Sequence, residues 1–166
     1  MRKNIYYAAV LLLLGFGRAE AKSQVPVDVV QADGAVCFVL EQAYEVSDMR
    51  VIPAAPAKDA PRLLWEQRHS MTTPIKERRN PKLKVLRYGQ KFDEFKVSTG
   101  PLELAKGVQY RVILELAGGY FAQEDFVINK NGRLFMPNPS FPRQKGRVYT
   151  AVKDKAGNLD LVLTAK

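Results

Sequence analysis

The chain lacks most of the residues on which familiar site chemistry is built. It has 166 residues but only one cysteine, Cys37, and one histidine, His69. A single cysteine cannot close an internal disulfide, and with one histidine it does not supply a usual structural zinc site. No Gly-x-Ser-x-Gly elbow, phosphate-binding glycine loop or EF-hand pattern occurs. No internal repeat is present, and neither a metal nor a cofactor is expected. The apolar run of residues 5–16 would rise about 18 Å as a helix, too short for a hydrocarbon core of roughly 30 Å.

That run has a different reading. Arg2 and Lys3 precede it, and Ala19-Glu20-Ala21 follows it. A short positive region, an apolar centre and small residues at the end form the pattern of a secretory signal peptide. Residues 1–21 are therefore expected to be a signal peptide cleaved after Ala21, leaving residues 22–166 as a single exported, periplasmic domain. At that size one core suffices without staples. In an oxidising compartment Cys37 is best protected by burial as a small apolar residue.

Composition is that of a globular protein, with 46% hydrophobic and 26% charged residues. Strand patterns dominate after residue 24. Residues 24–30, 35–40, 49–53, 62–65, 83–88 and 94–97 read as short strands, several bounded by proline, glycine or asparagine. The clearest alternation runs over 108–116, placing Val108, Tyr110, Val112, Leu114 and Leu116 on one face. Gly118-Gly119 and Asn129-Lys130-Asn131-Gly132 are turn signals, and further strands are expected over 147–152 and 159–163 around a connection at 154–158. Residues 65–71 are the one weak helix candidate. The expected fold is all-β, an antiparallel β-sandwich of immunoglobulin-like or transthyretin-like type, with a long basic loop.

Charge is uneven. The formal net charge is +9. Residues 50–91 hold eleven cations against three acids, whereas residues 22–49 hold one against five. The densest part, residues 68–82, contains Pro74 and Pro81 and reads as an exposed loop between strands. Such a loop can simply aid solubility, or it can dock an acidic partner. Arg68, Arg78 and Arg79 can clamp carboxylates in bidentate fashion, with Lys76 and Lys82 beside them. These five are the candidate partner-binding residues. Export and the lack of interleaved aromatics argue against nucleic acid. No apolar anchor is evident beside the run to hold it on a membrane.

Catalysis is poorly supported. His69 is expected as an exposed loop histidine, and its neighbour Ser70 does not supply triad geometry. The pairs Asp93-Glu94 and Glu124-Asp125 point to opposite faces if they lie in strands, so neither forms a dyad. Cys37, in an apolar strand, is expected to be inert. The aromatics are mostly core, although Phe135 or Phe141, flanking 136–140, could protrude as a second interface.

Three segments resemble a family of small exported bacterial proteins, often lipoproteins, to which periplasmic immunity against type VI secretion effectors is ascribed. They are Ala35-Val36-Cys37-Phe38, Gly107-Val108-Gln109-Tyr110-Arg111-Val112 and Asp125-Phe126-Val127-Ile128-Asn129-Lys130-Asn131-Gly132. The chain departs from the family in lacking a lipobox cysteine and a second cysteine to pair with Cys37. The resemblance implies a stoichiometric inhibitor that covers a secreted toxin's active site or functional surface. The alternative is a periplasmic module holding an anionic envelope glycan or lipid headgroup.

Overall fold

A computed structural model describes residues 22–141, 148–153 and 159–164. The expected signal peptide and the connection at 154–158 lie outside the described residues. The described chain is all-β, and its longest helical feature is a single 3-10 turn at Ile75–Glu77.

The architecture is organised by one strand that belongs to two sheets. Strand β3 (Ala35–Pro53) is 19 residues long. Its first part pairs with β2 (Val27–Ala32) on one side and β5 (Lys82–Arg87) on the other. Its second part lies between β4 (Trp65–Arg68) and β7 (Gln109–Leu116). Register shifts fall between Val39 and Tyr44 and between Val46 and Asp48, where the strand turns the corner. Bulges and bends are how a strand passes from one sheet of a sandwich to the other. The sequence pattern suggests two strands here because exposed Glu41 and Gln42 interrupt the apolar run, and the structure shows one.

The larger sheet runs β1-β8-β7-β3-β4-β6, with β1 at Ser23–Val25, β8 at Tyr120–Ile128 and β6 at Val97–Thr99. The short β9 (Leu134–Phe135) also pairs with β8. β1 and β8 are parallel, so the sheet is mixed, and it does not close into a barrel. Pro26, which has no N–H to donate, separates β1 from β2 where the chain changes sheets. β2 and β3 are joined by the two-residue turn Asp33-Gly34, whose φ values of 48° and 72° are those a tight hairpin requires.

Alternation sets the core. Tyr110, Val112, Leu114 and Leu116 of β7 are buried, as their spacing predicts, and meet Val27, Val29, Phe38, Leu40 and Leu86 from the smaller sheet. Val108, expected on the same face, precedes β7 and is exposed. At the centre the ring of Phe38 stacks on Trp65 at 6.3 Å and tilts against Phe126 at 5.9 Å. Residues 65–71 are not helical: Trp65–Arg68 is β4, because Trp65, Gln67 and His69 alternate into the interior.

A third layer covers the smaller sheet. β10 (Val148–Lys153) and β11 (Leu159–Thr164) form an antiparallel pair. Leu161 and Tyr149 pack with Ala32, Cys37 and Val39, and the Tyr149 hydroxyl donates to the Asp28 carboxylate. Cys37 is fully buried, and burial pushes its thiol pKa up, which disfavours the reactive thiolate.

Candidate functional site

The outer face of the larger sheet carries charges in register. Arg50 lies opposite Glu66 and Asp48 opposite Arg68, while Asp48 also faces Glu115 on β7. Arg68 Nε is 3.2 Å from Glu66 Oε2, and Arg50 bridges Asp48 at 3.5 Å and Glu115 at 3.8 Å. Lys22 pairs with Glu115 from the other side. Burial and the negative charges of Glu66 and Glu115 push the Asp48 carboxyl pKa up, against the pull of Arg50 and Arg68. Further along the face Arg111 grips Asp125 with two bonds, Nε at 2.6 Å and Nη2 at 3.1 Å, and holds its carboxyl below the usual range.

From Arg68 the chain crosses to the other sheet through residues 69–81. The base of this loop is tied by His69, whose Nε2 lies 3.0 Å from Asn80 Oδ1 and whose ring meets the edge of Phe95 at 5.2 Å. The Val46 N–H donates to the Pro81 carbonyl at 3.0 Å. Within the loop, Thr73 N–H donates to the Ser70 carbonyl at 3.0 Å, and Arg78 Nε donates to the Thr73 carbonyl at 3.0 Å. Arg79 reaches back to the Lys76 carbonyl at 3.3 Å. The loop is a braced element.

His69 is therefore buried, contrary to its expected exposure, because it continues the inward alternation of β4. Ser70 Oγ is engaged with Thr72 Oγ1 at 2.8 Å. Glu124 is buried and accepts the Ser140 N–H at 2.8 Å, whereas Asp125 faces outward with Arg111, so the two form no dyad. Among the described residues, no group of three or more His, Cys, Asp and Glu side chains is placed to hold a metal ion. Among the same residues no helix is long and apolar enough to cross a membrane.

The five candidate contact residues do not form one patch. Arg68 belongs to the sheet and is paired with Glu66, which corrects its placement in the loop. Arg68 and Arg78 line a groove of about 560 Å³ between the loop and the sheet face. Lys76 and Arg79 are exposed on the loop, and exposed Lys82 begins β5, opposite Glu45. None of Lys76, Arg78, Arg79 or Lys82 forms an ion pair among the described residues.

Sequence reasoning missed two residues of this loop. Met71 is 85% exposed and Ile75 82% exposed, and both line the groove. They place exposed apolar groups beside the basic run, where none is expected from the sequence. A signal was available, since apolar residues in a proline-bounded loop have no strand pattern to carry them into a core. Arg50 was likewise legible, standing between inward-facing Met49 and Val51. Phe135 protrudes, 46% exposed, as one of the two aromatics considered for a second interface. Compared with protein-family models, curated proteins and solved structures, the chain matches none.

Proposed function

We propose that this chain is an exported, non-catalytic binding protein that docks an acidic protein partner through the loop of residues 69–82. The observation that carries the reading is the contrast between two sets of cations. Lys22, Arg50, Arg68 and Arg111 on the sheet face are matched by carboxylates within the fold. Lys76, Arg78, Arg79 and Lys82 are not so matched among the described residues. Uncompensated charge on a braced loop steers an acidic partner and loses little conformational freedom when it docks.

In the reading implied by the family resemblance, the partner is a type VI secretion effector delivered into the periplasm. The chain then neutralises it by covering its active or functional surface. The test is survival of cells carrying the chain against an effector-delivering competitor, beside cells carrying Lys76→Glu/Arg79→Glu. Protection by the wild type and loss of protection with an equally folded, equally abundant variant is the expected result. Equal protection by both removes the loop from the reading. Binding that moderate salt abolishes entirely, with no protection, identifies instead a module for an anionic glycan or lipid headgroup.

A further inference from the structure

The groove between the loop and the sheet has a wall that charge steering alone does not use. Met71 and Ile75 stand on its loop side, almost wholly exposed, within a segment otherwise rich in polar and charged groups. Arg68 and Arg78 line the same groove, as does Arg50. Its acids, Asp48 and Glu115, are already held by Arg50 and Lys22. Arg50 and Arg68 already hold Asp48, Glu115 and Glu66, so an entering carboxylate meets Arg78 as the groove's arginine without an ionic partner among the described residues. An entering apolar side chain meets methyl and methylene groups that nothing in the loop conceals.

The volume of about 560 Å³ is that of a site for a small ligand or a few side chains, too small for a folded domain. A purely anionic polymer would leave Met71 and Ile75 wet, and a purely apolar ligand would strip water from three arginines without replacing it. A bilayer surface favours a convex apolar edge, whereas these two side chains face a concavity shared with the sheet. The bracing of the loop through Arg78–Thr73 and His69–Asn80 fixes the shape of that concavity in advance.

We propose that this groove binds an extended peptide segment of the partner that combines apolar and acidic side chains, seating the first on Met71 and Ile75 and the second on Arg78. The proposal rests on the docking reading and specifies which part of the partner enters the site.

The test pans the immobilised full chain against a random dodecapeptide library and titrates the strongest peptide onto variants. Enriched peptides are expected to place Asp or Glu beside Leu, Ile, Met or Phe. Met71→Ser/Ile75→Ser is expected to weaken the peptide at least tenfold, with Trp65 fluorescence showing an intact fold. Acidic peptides without apolar residues, bound equally by Met71→Ser/Ile75→Ser but lost with Lys76→Glu/Arg79→Glu, overturn the groove and leave the docking reading standing. Peptides indifferent to both pairs of substitutions overturn both readings. Failure to enrich any peptide overturns the groove alone, leaving the survival assay to judge the docking reading. Sedimentation with phosphatidylglycerol vesicles that requires Met71 and Ile75, in place of peptide selection, makes the loop a membrane anchor and also overturns the groove.

Discussion

The imidazole of His69 and the side-chain amide of Asn80 meet at 3.0 Å and close the neck of the basic loop. His69 continues the inward alternation of β4, and Asn80 comes just before the chain enters β5 in the other sheet. The loop's conformation thus depends on a part-buried hydrogen bond at its base. An interface built on Lys76, Arg78 and Arg79 inherits that dependence.

Replacing Asn80 with Ala removes the acceptor and leaves a largely buried imidazole without its partner. The expected cost is about 1–2 kcal/mol in urea unfolding. Trypsin is expected to cleave the native variant faster at Lys76, Arg78 and Arg79, because the neck no longer restrains them. Unchanged cleavage would show that the Phe95 contact and the Val46–Pro81 bond suffice.

Trp65→Ala strikes the centre of the sandwich, where the ring is fully buried between Phe38 and Tyr88. A loss of about 3–5 kcal/mol is expected, a large share of the roughly 5–15 kcal/mol that holds an ordinary domain folded. Denaturant unfolding followed by circular dichroism measures it. A loss below about 1 kcal/mol would contradict this packing.

The Arg111–Asp125 pair gives a pH dependence of known sign. Bonding to Arg111 depresses the Asp125 pKa in the folded state. Its contribution is therefore fully present above the unfolded carboxyl pKa of 3.8 and is lost as pH falls through the lower folded value. Arg111→Gln should narrow the stability difference from wild type as the pH drops below that point. Because the pair is partly exposed, the difference at neutral pH is expected to be at most about 1 kcal/mol. A difference that grows on acidification would reverse the assignment.

Cys37 reports on the third layer. Leu161 covers it, so native protein should react only slowly with a thiol reagent. Leu161→Ala is expected to raise the labelling rate at least tenfold while Trp65 fluorescence stays that of the folded state. Labelling that tracks global unfolding in both proteins would mean that the β10–β11 pair never lifts independently.

Local pattern made parts of this fold legible and left others hidden for a physical reason. The alternation of Tyr110, Val112, Leu114 and Leu116 is contained in β7 itself, and the Gly118-Gly119 turn signal that follows it is equally local. The continuity of β3 through exposed Glu41 and Gln42 is decided by partners far away in sequence, which supply hydrogen bonds on both sides of the corner. The same holds for Arg68. Its charge and its neighbours suggested a free contact residue, but the strand spacing that turns Trp65 and Gln67 inward turns Arg68 outward beside Glu66. Residues 94–97 read as a strand from their composition, yet the pairing with β4 begins only at Val97. Of the candidate site, the loop was visible in its prolines and charges. The groove was not, because one of its walls is the face of a distant sheet.

Both feet of the loop stand on strands that bond to β3, β4 to its second half and β5 to its first. A force applied at Met71 or Arg79 therefore loads a closed mechanical circuit, with tension leaving through one foot and returning along a single backbone to the other. The two leaves cannot be prised apart at that end without tearing ladder bonds from their common spine.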